Sequence, residues 1–304
     1  MLVVKFGQRI NESLVITLGY MDCVHLGHRR LIEKAAAAAE FLNDFDGAAV
    51  KTAAFTFFNN PFPVLGRDVL PVYDFGTRLK YFRTDYVIAA EFDAEFAGLD
   101  APAFLSALLG TADIKAVVVG ADYRFSADAA ADAAFLSGYL AERKVDLIVA
   151  ETVKVNGVKV SSSDIRRRIA DGDVRGAGRL LGSPYTISGT VVHGAHIGAS
   201  LGFPTANVLP NEGVTRLKEG VYATKTRVGS GYFSSITNAG SRPTFSYGTD
   251  YVYETHIDGI NYDIYGKNIE VEFIDRIRDT VKFESKEELI AQLKNDKKIF
   301  GIPY

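Results

Sequence analysis

The feature that most constrains the fold is a change of texture at Leu181-Gly182-Ser183-Pro184. Before it, short apolar runs at 14–17, 52–57, 86–90, 114–120 and 145–149 alternate with helix-like stretches at 28–42, 101–109 and 129–143. Strand-then-helix repetition leaves few choices, because each crossover packs back onto its sheet with one hand; the product is a parallel sheet covered by helices. After the change come short alternating segments at 187–192, 220–227, 232–237, 251–257 and 269–274, broken by Gly, Asn and Asp. That is the pattern of an antiparallel barrel or sandwich. One helix over about 285–294 closes it, with Ser285, Glu287 and Glu288 as an N-terminal capping pattern. The expectation is α/β plus all-β, with one domain over residues 1–182 and a second over 183–304.

A length of 304 residues is enough for two such units. The net charge of −3 is spread evenly, with 21 basic against 23 acidic side chains in residues 1–182 and 13 against 14 in the rest. Neither part has the basic surplus of a nucleic-acid binder. A single cysteine, Cys23, excludes an intramolecular disulfide and a cysteine-only metal site. With no N-terminal signal pattern and no apolar run of membrane-spanning length, the expectation is a cytoplasmic protein with no nucleic-acid or membrane partner. The sequence is silent on oligomeric state.

Chemistry concentrates first in Gly19-Tyr20-Met21-Asp22-Cys23-Val24-His25-Leu26-Gly27-His28, where the strand at 14–17 gives way to a helix. Unpaired N–H groups and the positive end of the helix dipole gather at such a junction and favour an anion. Gly27 permits close backbone approach, and His25 and His28 offer donors to a triphosphate. Either histidine alone reads more simply as a loop cap or a surface residue; the pair flanking a glycine favours nucleotide. Cys23 is read as packing rather than as a nucleophile. Parallel sheets bind ligands beyond the carboxyl ends of their strands, which brings in Asp122 of Gly120-Ala121-Asp122. The histidine pair resembles the HxGH signature of the nucleotidyltransferase superfamily, which implies nucleotide contacts for Gly19, Asp22, His25, Gly27, His28 and Asp122 in a Rossmann-like sheet.

The second half contains Ser188-Gly189-Thr190-Val191-Val192-His193-Gly194, then Leu201-Gly202-Phe203-Pro204-Thr205-Ala206-Asn207, Gly220-Val221-Tyr222-Ala223, Asn238-Ala239-Gly240-Ser241-Arg242-Pro243-Thr244-Phe245 and Glu254-Thr255-His256. In this order and spacing the set resembles the riboflavin kinase domain. With the upstream half, nearly the whole chain is similar to the bacterial bifunctional riboflavin kinase/FAD synthetase family. The resemblance implies phosphorylation of riboflavin to FMN in the second half and adenylylation of FMN to FAD, with release of pyrophosphate, in the first. It implies ATP as co-substrate and Mg2+ on Thr205 and Asn207, two hard oxygen ligands taken to lie on one turn. It also implies Glu254 as the group that receives the riboflavin 5′-hydroxyl proton, against a solvated strand carboxylate as the plain alternative. Gly194 and Gly198 are read as a phosphate cradle, and Asn238 and Arg242 as flavin-loop residues. Ser161-Ser162-Ser163-Asp164-Ile165-Arg166 resembles the family's SSTxIR segment, which assigns Ser162, Ser163 and Arg166 to nucleotide phosphates. The alternative is ordinary capping of a 163–170 helix, with Arg167 and Arg168 on a solvated face.

Several positions depart from the family pattern. Cys23 replaces a glycine, Asn60 a histidine, Ser126 a glycine and Ala199 an arginine, and an Ala/Asp run follows Ser126 where a Gly- and basic-rich loop is usual. The lost charge is expected to weaken FMN binding or to change which substrate is preferred, with Arg124 best placed to compensate. Two alternatives stand beside the two-step enzyme: a kinase whose first half has degenerated, and a flavin or nucleotide sensor without turnover.

Overall fold

The computed structural model describes residues 1–46, 49–193, 204–210, 213–241, 251–260, 262–281 and 285–299. Its packing forms two compact units, residues 1–71 with 75–161, and residues 72–74 with 162–304.

The strands of the first unit are β1 (Leu2–Lys5), β2 (Ser13–Leu18), β3 (Lys51–Phe57), β4 (Tyr86–Ala90), β5 (Asp113–Gly120), the short pair β6 (Arg124–Phe125) and β7 (Ala131–Asp132), β8 (Asp146–Ala150), and a second pair, β9 (Lys154–Val155) and β10 (Val158–Lys159). Six of them form one all-parallel sheet in the order β1-β4-β3-β2-β5-β8. Both faces are covered, so the central strands are apolar throughout. Leu14, Ile16 and Leu18 pack with Phe55, Ile88, Leu105 and Val117, while Val15 packs with Val24, Leu31 and Val118 on the opposite side. The helices are α1 (Leu26–Asp46), α2 (Phe75–Leu79), α3 (Ala94–Ala97), α4 (Ala101–Gly110) and α5 (Ala133–Ala141). Asp93, Asp100 and Asp132 cap the last three by accepting from backbone N–H groups of the first turn.

All five strands expected in this half are present. The helix expected over 129–143 starts instead at Ala133. Its cap, Asp132, is also the end of β7, so the alanine-rich run becomes a short 3-10 turn at Ala127–Ala129, then strand, then helix. Ser126 sits at φ 69°, ψ 179°, a region that only glycine occupies without strain. The backbone here has a conformation suited to glycine, the residue that the family resemblance places at this position. Ser126→Gly is expected to stabilise this unit by about 1 kcal/mol, the relieved strain less the extra freedom of glycine in the unfolded chain. A higher urea midpoint would register it, and an unchanged midpoint would refute it. Cys23, by contrast, is buried and lies outside the left-handed region; Met21 and Val24 on either side of it occupy that region, at φ 50° and 43°.

The second unit holds α6 (Ser162–Asp171), α7 (Val174–Leu181), β11 (Tyr185–Val192), β12 (Thr205–Pro210), β13 (Gly220–Val228), β14 (Gly231–Ser241), β15 (Tyr251–Ile257), β16 (Asn268–Arg278) and α8 (Lys286–Ile299). The division by packing differs by two helices from the division by sequence pattern, because α7 lies against β11 and β16. The six strands close into an antiparallel barrel in the order β11-β12-β15-β14-β13-β16. Closure leaves no unpaired edge. Tyr185, Tyr222, Tyr253 and Phe273 fill the interior with a line of buried hydroxyls. That line runs Thr226–Ser235–Thr224–Thr237–Thr255, with oxygens 2.7 to 3.0 Å apart. The Ser285 hydroxyl accepts from Glu288 N–H at 3.3 Å, as its capping pattern implies.

Thr205 and Asn207 lie on a strand rather than on a turn. β12 pairs with β11 on one side and β15 on the other, and this two-sided pairing overrides the turn character of the flanking prolines.

Two candidate active sites

In the first unit β2 and β5 are neighbours at the centre of the sheet, and successive strands lead away from them in opposite directions. Ligands bind at such a switch point. The His25 turn leaves the end of β2, and Asp122 follows the end of β5.

His25 occupies the N-cap position of α1, and its Nδ1 accepts the backbone N–H of His28 at 3.2 Å. An accepting Nδ1 places the proton of the neutral ring on Nε2. The His28 ring stacks on His25 with centroids 3.7 Å apart and planes 7° from parallel. Gly27 is required by this pair: a Cβ there would stand 2.9 Å from His25 Cε1. At Gly19 a Cβ would meet nothing closer than Met21 Cγ at 3.5 Å, an ordinary contact. Asp22, three residues before His25, is buried.

Burial pushes His25 down to about 4 and His28 well below the usual histidine value, with the neighbouring ring and Arg78 adding to the effect on His28. Both rings are neutral at pH 7. Arg78, which the sequence did not single out, is fully buried on α2 and donates to the carbonyls of Tyr20 at 3.0 Å and Phe57 at 2.7 Å and to Thr56 Oγ1 at 3.1 Å. It ties the end of β3 to the turn before His25. Lys159, also not foreseen, pairs with Asp122 and holds that carboxyl below its usual range. The Asn156-Gly157 step, with both residues at positive φ, was the available signal, since it makes the β9–β10 hairpin that carries Lys159. Nothing in the sequence flags Arg78.

A ring that is neutral when folded and free to protonate when unfolded makes stability fall with acid. Between about pH 6.5 and 4 the unfolded chain binds the extra proton, so His25 alone should remove about 3 kcal/mol across that window. Denaturation of the parent and of His25→Asn, which keeps a capping oxygen, should show a shallower acid loss in the variant. Equal slopes would mean that His25 titrates normally.

Of the positions that depart from the family pattern, Asn60 donates to Val69 O at 2.9 Å and accepts from Phe62 N–H at 3.2 Å, so its amide organises its own loop. Arg124 is exposed and reaches Ala129 O at 3.5 Å.

In the second unit the register of β12, β15 and β14 sets Asn207, Glu254 and Asn238 side by side in one row. Thr205, two residues before Asn207 and so on the same face, donates its hydroxyl to Glu254 Oε1 at 2.8 Å. Asn207 is buried, and its Oδ1 has no hydrogen-bond partner among the described residues. His256 Nδ1 lies 2.9 Å from Pro204 O and fixes the approach to Thr205. Beside Thr205 opens a cavity of about 300 Å³, lined by Pro204, Thr255, Ile257, Ile260, Tyr262 and Tyr265 among others. Among the described residues no cluster of three His, Cys, Asp or Glu side chains is placed to hold a metal. Thr205 and Asn207 nevertheless offer a hydroxyl and an orphaned amide oxygen, hard donors suited to an ion that takes its remaining ligands from phosphates and water.

Ser162, Ser163 and Arg166 occupy the first turns of α6, which belongs to the second unit. Arg167 pairs with Asp164 and Asp171, and Arg168 with Asp164 and Asp173, as a solvated basic face would. Gly194, Gly198, Ala199 and Arg242 lie outside the described residues.

A central parallel sheet with histidines at its switch point, followed by a closed barrel with a carboxylate–amide row, defines a two-part chain of the nucleotidyltransferase and riboflavin kinase-like classes. A family model for FAD synthetase matches residues 7–164 and one for riboflavin kinase matches 181–301. The chain belongs to the bifunctional riboflavin kinase/FMN adenylyltransferase family. It is 33% identical to the protein of that name from Escherichia coli K12, over 98% of this chain and 96% of that one. It is 32% identical to the Listeria monocytogenes protein, over 93% and 90%. A Streptococcus pneumoniae crystal structure described as a macrolide-efflux protein superposes with a TM-score of 0.86 at 29% identity, covering 98% of both chains. Among the described residues of the present chain no helix is long and apolar enough to cross a membrane.

Proposed function

We propose that this chain makes FAD in two steps: riboflavin and ATP give FMN and ADP in the barrel domain, residues 183–304, and FMN and ATP give FAD and pyrophosphate through residues 1–182. The observation that carries the kinase reading is Glu254, set in register between two asparagines and holding the Thr205 hydroxyl. Glu254 accepts the proton of the riboflavin 5′-hydroxyl as that oxygen attacks the γ-phosphorus. Thr205 oxygen keeps lone pairs free while its proton points at Glu254, and with Asn207 Oδ1 it would hold magnesium, which supplies charge neutralisation on the ATP phosphates. The neighbouring cavity, with its isoleucines and tyrosines, suits a flat ring.

In the second step a phosphate oxygen of FMN attacks the α-phosphorus of ATP and pyrophosphate leaves, with no protein nucleophile. His25 through Nε2–H, His28 and the N–H groups of α1 act as neutral donors to the phosphates, a preorganised field rather than a set of cations. Asp22 and Asp122 serve the nucleotide, Arg124 the flavin, and Ser162, Ser163 and Arg166 the pyrophosphate. Because a Cβ at Gly19 would fit in the protein alone, close approach of the nucleotide is the reason for glycine there. Use of ATP and soluble flavins suits an enzyme of the cytoplasm.

Purified protein incubated with riboflavin, ATP and magnesium should yield FMN and then FAD, resolved by chromatography. FMN alone would leave only the kinase, and neither product would favour a non-catalytic flavin-binding protein.

A further inference from the structure

A chain of contacts in the second unit ends beside Glu254 and takes no direct part in the transfer of the phosphoryl group. Asp296, fully buried on α8, is gripped through both oxygens by Arg278 at the end of β16, with Nη2 at 2.8 Å from Oδ2 and Nε at 3.1 and 3.2 Å from the two oxygens. Gln292 Nε2 also donates to Asp296 Oδ1 at 2.7 Å. A carboxylate this buried is stable only while its partner stays, so α8 is fastened to the last residue of β16. Two residues further on, the Thr280 hydroxyl donates to Asn238 Oδ1 at 3.2 Å. Asn238 is the direct cross-strand neighbour of Glu254.

Among the described residues, Thr280 is the one hydrogen-bond partner of the Asn238 side chain. With the Thr280 hydroxyl donating to the amide oxygen, the NH2 group is left as a donor on the face that Glu254 shares. We propose that Thr280 is a positioning residue for riboflavin phosphorylation: it fixes the Asn238 amide as a donor to an oxygen of the flavin substrate, and α8 holds Thr280 in place through Asp296 and Arg278. This rests on the reading of Glu254 as the proton acceptor of the kinase site. Thr280 is exposed, so the loss of its hydroxyl leaves the core untouched.

The test compares Thr280→Val, which keeps the shape and removes the hydroxyl, with Thr280→Ser, which keeps the hydroxyl. The valine variant should lose about tenfold in kcat/KM for riboflavin, with KM for ATP and the melting temperature unchanged, and the serine variant should stay near the parent. Asn238→Ala should also lose activity, and adding Thr280→Val to it should cost nothing more, because the hydroxyl acts only through that amide. Parental activity in Thr280→Val, an equal loss in Thr280→Ser, or independent losses in the double variant would each overturn the proposal. Glu254→Gln run alongside separates the two levels. If it phosphorylates riboflavin at the parental rate the site itself is misread; if it is inactive while Thr280→Val is not, only the positioning role fails.

Discussion

Glu254→Gln should lower riboflavin phosphorylation by about 10²–10⁴-fold, the range for removal of a general base, while FAD formation from supplied FMN continues at the parental rate. The substitution isolates basicity. The amide oxygen of glutamine can still accept the Thr205 hydroxyl, so that hydrogen bond survives. Steady-state FMN production, measured with saturating ATP and magnesium, decides the matter. Near-normal turnover would return Glu254 to a solvated strand carboxylate.

The second large effect is expected from His28→Ala, which should lower FAD formation by about 10²–10³-fold or more, the scale for removal of one preorganised donor, and spare FMN formation. His25 would still cap α1 through the His28 backbone N–H, so the helix persists and the lost group is the imidazole alone. Arg166→Ala is the companion substitution, acting on the same product. Pyrophosphate release from FMN and ATP is the readout, and a yield unaffected by both changes would move the nucleotide site elsewhere.

Much of the architecture was legible because buried strands write themselves as apolar runs: residues 14–18, 53–55 and 116–119 have almost no surface left. Where burial fails, so does the signal. β1 is a short edge strand with Leu2 and Val3 exposed, and its four residues were not read as a strand. β12 contains Asn207 and ends on Pro210, and only its two partners make it a strand. In α7 the glycines disguise a helix: a Cβ at Gly176 would fall 2.0 Å from the Asp173 carboxylate that caps it, so the carboxylate in its present position leaves room only for glycine. The site residues that carry motifs were legible for a different reason, since they are tied to local turns and spacings. Arg78 has no such tie. Its partners lie 21 to 58 residues away, at two strand ends that only the folded sheet brings together.

The line of hydroxyls inside the barrel has a polarity that its oxygen positions conceal. Five groups with one proton each, joined by four bonds, can satisfy the whole line with every proton pointing the same way, toward Thr226 or toward Thr255. Reversing the direction requires all of the protons to rotate together, because a single reversal sets two donors or two acceptors against each other. Thr255 stands at the wall of the cavity, so an acceptor or a donor lodged there would choose between the two arrangements and fix the orientation of a hydroxyl four links away.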